Sequence, residues 1–218
     1  MDIMSKRTLL FLLLWFTGFA AGLSVDRVIA QSIHDRGWDD KIHWSATTQK
    51  VVKATKIPGT YICTILIAVG IGLLHPLRWR AASLIAVSGA LSGLNSLLKW
   101  IVGRRRPITG IHPFDFDAFV GGLSGLFGAE NNLSFPSGHA CLAFATAASL
   151  GMCLPRWRIA FYSIATIVAI ERICENAHYV SDSIAGAGLG ILSAIAGRAL
   201  LSKLKRTPVT SQVPAADK

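Results

Sequence analysis

The chain has 218 residues, 52% of them hydrophobic and only 16% charged, with a formal net charge of +10 and a mean hydropathy of +0.48. That length suits one domain, and apolar residues gathered in such blocks exclude an ordinary soluble core; the class is integral membrane. The basic residues fall in short clusters between apolar runs, which fits the cytoplasmic bias of membrane proteins better than nucleic-acid binding.

A short basic lead, Met4-Ser5-Lys6-Arg7, precedes an apolar run over 8–23. This run reads as a first transmembrane helix or as a cleaved signal peptide, since Gly18-Phe19-Ala20 resembles a small-residue cleavage site. Segment 26–58 is polar and mixed, with Trp38 and Trp44 suited to a membrane interface. Its charges read as those of a solvated loop and receive no role.

Further apolar runs span 59–74, 81–102, 140–154, 159–170 and 183–201. With the first, they predict an all-α, polytopic bundle of six transmembrane helices. The runs 81–102 and 183–201 are rich in small residues that permit close helix packing. Cys63, Cys141, Cys153 and Cys174 have no metal-type spacing. The expected organisation is a cytoplasmic lead (1–7), one membrane domain (8–201) and a disordered cytoplasmic tail (202–218).

Arg104-Arg105-Arg106-Pro107 stops the third run, because a residue before proline avoids the α region. No helical period resumes over 108–135, a long connection that reads as a functional lid or an interfacial segment. Asp115 and Asp117 lie in it without a third ligand, so no metal is predicted there.

Six spans put Lys6/Arg7, Arg78/Arg80, Arg156/Arg158 and Lys203/Lys205/Arg206 on one side, which the positive-inside rule makes cytoplasmic. Connections 103–139 and 171–182 then share the extracytoplasmic face. The arginine triplet falls on that face too, against the rule, and so requires a functional reason.

Pro136-Ser137-Gly138-His139 opens the fourth run as a helix start. The first N–H groups of a helix have no internal partner and favour an anion. His139 sets an imidazole beside them. Alone, the stretch is equally a turn and cap with an incidental histidine. Two further pieces join it on the same face. One is Lys99 with Arg106-Pro107, six residues intervening; the other is Arg172, His178 and Asp182, with five and then three residues between them.

Together the pieces resemble the three-part signature of the type 2 phosphatidic acid phosphatase family, lipid phosphatases that share an active-site plan with vanadium haloperoxidases. The resemblance covers 60–200. Glu171 departs from it, standing where the family usually has serine before the arginine. The resemblance implies a membrane phosphatase acting on a lipid-linked phosphate or diphosphate ester through a phosphohistidine, and the residues agree with it. Lys99, Arg106 and Arg172 supply cations for a phosphate dianion, Ser137 a hydroxyl and Gly138 a backbone N–H. His178 and Asp182 are four apart, so a helical start puts them on one face, where the carboxylate can hold the Nδ1 proton and leave Nε2 bare to attack. His139 remains as general acid and then base. No metal or other cofactor is required, since the cationic side chains replace Mg²⁺.

The fifth run corresponds to about 18 Å of helix against a hydrocarbon core of about 30 Å, which predicts an Arg172 recessed to headgroup depth. The expected location is a bacterial inner membrane, with the site facing outward and membrane lipids as partners and substrates. Two rivals stand: a phosphotransferase using the same residues with an alcohol acceptor, and a non-catalytic protein that binds anionic lipids. Binding alone needs cations but not two histidines.

Overall fold

The computed structural model describes residues 6–40, 44–74, 78–119 and 132–204. Residues 1–5, most of the tail (205–218) and the middle of the long connection (120–131) lie outside the described residues, and with them much of the expected lead, tail and lid.

The described chain is helical: α1 (Lys6–Asp35), α2 (Ala46–Lys56), α3 (Tyr61–Leu74), α4 (Arg78–Ser92), α5 (Asn95–Val102), α6 (Gly138–Cys153), α7 (Arg158–Cys174) and α8 (Val180–Leu204). The centre is α6, packed against α4, α7 and α8. Its sequence, GHACLAFATAASLGMC, is dominated by small residues, so neighbouring backbones approach closely. Gly186 on α8 shows how closely: a Cβ there would collide with the carbonyl oxygen of Ser137. Hydroxyl pairs tie the layers, Ser88 Oγ to Ser149 Oγ at 2.8 Å and Thr64 Oγ1 to Thr146 Oγ1 at 3.1 Å. The outer faces are apolar and exposed, as at Leu10, Leu13, Leu14, Ile62, Leu66 and Leu73, which suits contact with lipid rather than water.

Three described helices are long and apolar enough to cross a membrane: Thr8–Asp35, Trp79–Val102 and Val180–Leu204. A fourth candidate is the pair Ala46–Gly59 and Tyr61–Leu74, bent by 58°. The expected six spans thus become three or four by length and composition. The difference lies in α6 and α7, which at 16 and 17 residues fall short of the ~20 that a full crossing takes.

Two expectations about helix ends are corrected. Segment 26–35 belongs to α1 rather than to a solvated loop, because Gly22, Asp26, Ala30 and Ile33 form one buried stripe at helical spacing. Segment 46–56 is α2, started by Ser45, whose side chain accepts from Thr48 N–H. The fifth run is also longer than predicted. α7 covers 17 residues, about 25 Å, and carries Glu171 and Arg172 in its last turn. Most of the shortfall on which Arg172's depth was argued therefore disappears.

Candidate active site

α5 ends on Gly103, in the left-handed region at φ 65°, with its N–H on Lys99 O. A residue with a Cβ is strained there, and the Cβ would also strike the carbonyl of Asp117. The chain then runs extended, bridging Arg104 to Phe116 and Arg105 to Leu133. Extended backbone alternates its side chains, which sorts the triplet. Arg105 faces out to Asp117 at 3.2 Å, while Arg104 and Arg106 face in. Arg106 Nε donates to Leu133 O at 3.3 Å, and Lys99 Nζ donates to the same carbonyl at 2.9 Å. Two of the predicted cations are thus anchored on the strand that leads into α6.

Ser137 is the N-cap of α6 by position, but its side chain caps nothing. Its Oγ is buried and without a hydrogen-bond partner among the described residues, so this hydroxyl is open to an incoming acceptor or donor. Its N–H donates to Asp182 O at 3.0 Å, which ties the starts of α6 and α8 together. Asn95 Nδ2 donates to Pro136 O at 3.2 Å and lies against Gly138.

His178 lies in the turn between α7 and α8 and is buried. Lys99, Arg106, Arg172 and His139 all lie within Coulomb reach of its ring, so the structure brings the predicted residues to one place. Burial, reinforced by those cations, holds the His178 imidazole well below its ordinary pKa. A neutral ring has a free lone pair, as a nucleophile must.

The predicted hydrogen bond from His178 to Asp182 is not formed. Nδ1 lies 3.9 Å from Oδ2, too far for a hydrogen bond, and Nδ1 has no partner among the described residues. The reason is that His178 precedes α8 rather than opening it, while both Asp182 oxygens are engaged elsewhere. Oδ2 accepts the Tyr179 N–H at 2.8 Å, as the third residue of a capping box does, and Oδ1 accepts from Arg104 Nη1 at 2.5 Å.

Arg172 is likewise not open. Its Nε and Nη2 donate to Glu171 at 2.9 and 3.1 Å, and Nη2 also pairs with Glu175. Lys56 at the end of α2 joins both carboxylates, at 2.5 Å to Glu175 and 3.8 Å to Glu171. Glu171, standing where the resemblance leads one to expect serine, therefore covers the arginine beside it.

Sequence reasoning missed Asp26, Lys56 and the separate role of Arg104. Asp26 was visible as one acidic residue on a stripe of small and apolar ones; Arg104 was marked only as one of a triplet, and Lys56 carried no local signal. Among the described residues there is no group of three or more His, Cys, Asp or Glu side chains placed to hold a metal ion.

The PAP2 superfamily pattern matches residues 79–206, well over half of the chain. Lipid A 1-phosphatases from Rhizobium johnstonii and Rhizobium etli are 37% and 38% identical over 97 residues, 44% of this chain. One from Porphyromonas gingivalis is 41% identical over 63 residues, 27% of this chain and 14% of its own. The match to the two Rhizobium proteins spans 38% and 40% of their length. The fold is similar to the crystal structure of a transmembrane PAP2-type phosphatidylglycerolphosphate phosphatase from Bacillus subtilis, with a TM-score of 0.62 at 22% identity, covering 94% of this chain and 100% of that one. With its long apolar helices and three motifs gathered at one site, the chain is a multi-pass integral membrane protein and belongs to the PAP2 superfamily.

Proposed function

We propose that this protein is a metal-independent lipid phosphatase that hydrolyses a lipid-linked phosphate ester at an extracytoplasmic site. One observation carries the reading: two histidines, a buried unpartnered serine hydroxyl and the cations Lys99, Arg106 and Arg172 converge at the start of α6. A site for binding alone has no use for a nucleophile kept neutral among cations.

In the first step the Nε2 lone pair of His178 forms a bond to phosphorus while the bond to the lipid oxygen breaks, and His139 gives that oxygen a proton. In the second, water attacks phosphorus, His139 takes its proton and the phosphorus–nitrogen bond breaks. Lys99, Arg106, the Ser137 hydroxyl and the Gly138 N–H hold the phosphoryl oxygens in both. Arg172 joins them when the phosphate draws it from Glu171. Asp182 supplies negative charge near the imidazolium that forms. In this reading all six apolar runs are embedded in a bacterial inner membrane, with 103–139 and 171–182 on the outer face and 8–201 as one domain.

Lipid A 1-phosphate is the first substrate to test, since the three relatives carry that name, and phosphatidylglycerol phosphate is the second. Purified full-length protein in detergent is given both, with phosphatidic acid and a polyprenyl diphosphate alongside, and released phosphate is scored. Turnover of at least one of them is expected, without added metal. No release from any, or phosphate appearing only on an added alcohol, rejects the hydrolase reading, and the second result favours the phosphotransferase.

A further inference from the structure

Asp26 is a carboxylate within the apolar helix Thr8–Asp35, fully buried, and outside the stretch 79–206 that carries the family pattern. A buried charge in such a helix is costly unless paired, and when kept it marks a functional interior. Its partners lead straight to the site. Oδ2 lies 2.7 Å from Arg104 Nη2, and the other terminal nitrogen of that arginine lies 2.5 Å from Asp182. Oδ1 accepts the Ser181 N–H at 2.9 Å, and Oδ2 accepts the Ser181 hydroxyl at 2.5 Å. Arg104 is fixed between them by Pro113 O on Nε at 2.9 Å and by the Tyr179 ring 4.1 Å from Cζ.

We propose that Asp26 is a positioning residue of the phosphoryl-transfer site, acting through Arg104 and Asp182 on His178. The inference rests on the reading of His178 as nucleophile. Arg104 carries one positive charge. Paired with Asp182 alone it would cancel the carboxylate that lies 3.9 Å from His178 Nδ1. Shared between two carboxylates that are both ionised, it leaves one negative charge in excess within the buried trio. Lys99, Arg106, Arg172 and His139 also face His178, and all of them oppose positive charge on the ring. Phosphorylation of Nε2 puts positive charge on that ring, so the excess carboxylate is the counter-charge the step needs. Asp26 also holds the first turn of α8 by taking an N–H that no helical carbonyl can reach, which fixes where Asp182 stands.

A clamp that merely joins α1 to the core would use the same contacts, and the two roles part in kinetics. Asp26→Asn keeps the shape and an acceptor for Ser181 while removing the charge. In full-length protein it is expected to lower kcat about tenfold to a hundredfold, with KM and orthovanadate inhibition unchanged, and Asp26→Glu is expected to regain part of the loss. A wild-type kcat in Asp26→Asn overturns the proposal. So does a parallel loss of kcat, KM and vanadate affinity with thermal stability, which is the mark of a clamp. Should Asp26→Asn fail to fold, Arg104→Lys serves, since it keeps the charge but loses the fork that spans both carboxylates. The same drop in kcat at constant KM supports the proposal, and a wild-type kcat overturns it. Phosphohistidine trapping on the wild-type protein separates the two layers. Absence of label on His178 defeats the nucleophile reading itself, whereas label that forms equally fast in Asp26→Asn defeats only the role of Asp26.

Discussion

Lys56, at the end of α2, stands 2.5 Å from Glu175, and Glu175 in turn pairs with Arg172. A residue outside the three motifs is thus linked through a carboxylate to a cation inside them. Glu171 completes the group by taking two nitrogens of Arg172. The phosphate must draw Arg172 from these carboxylates or bind beside them. Glu171→Ser, which restores the family residue, should release part of the arginine. Orthovanadate inhibition should then tighten severalfold, by about 1 kcal/mol, the scale of one net hydrogen bond regained. Inhibition constants on both proteins check this; unchanged or weaker inhibition means Arg172 does not meet the anion.

Arg106 and Lys99 anchor on the same carbonyl of Leu133, so each is fixed before substrate arrives. Arg106→Lys is expected to lower activity by about tenfold to a thousandfold, because lysine lacks the planar fork that grips two phosphoryl oxygens. Orthovanadate should inhibit the wild-type protein, and chelators should leave turnover intact. Loss of activity in a chelator, restored by Mg²⁺, would show a metal in the mechanism.

The His178 ring is held neutral first by burial and then by Lys99, Arg106, Arg172 and His139. Its folded pKa is depressed, so as pH falls through the ordinary imidazole value of about 6.5 the ring does not charge and attack is not lost. Histidine NMR checks the sign, with His178→Gln used to assign the signal. Between about pH 7.5 and about pH 5.5 the His178 resonances should not titrate. A midpoint near the ordinary value contradicts the burial argument.

Much of the site was legible because its residues are local to three short motifs. Lys99 and Arg106, Ser137 to His139, and Arg172, His178 and Asp182 declare themselves by type and spacing, and the structure brings Lys99, Arg106, Arg172 and His139 within reach of the His178 ring. What was not legible depends on distant partners. Asp26 looked like a loop charge because its partners Arg104 and Asp182 are far along the chain, and nothing near Asp26 shows its charge is matched. Arg104 could not be told from Arg105 and Arg106 by composition; only the alternation of extended backbone turns it inward. The contact expected between His178 and Asp182 assumed that a helix begins before His178. The helix begins at Val180, and Asp182 caps it instead. The gap between six apolar runs and three or four helices of spanning length among the described residues has a related reason. Hydropathy marks apolar runs but not whether a helix is long enough to cross alone, and α6, the most buried helix, is one of the short ones.

Sidedness has its own test. A reporter fused after Gly128 should be active outside the cytoplasm, and one fused after Arg158 inside, following the lysine and arginine bias of the short connections. The reverse pattern would move the site to the cytoplasmic face and exclude outward-facing substrates.

The assignment of roles to the two histidines is tested most directly by rapid quench with a labelled aryl phosphate. His178 is the nucleophile in this account and His139 the acid and base. A phenol leaving group needs no proton, so His139→Ala should still release a burst of phenol and accumulate an acid-labile phosphohistidine, because water is no longer activated. His178→Ala should retain no label and turn over nothing. Label retained by His178→Ala and never by His139→Ala would contradict the account and exchange the two roles.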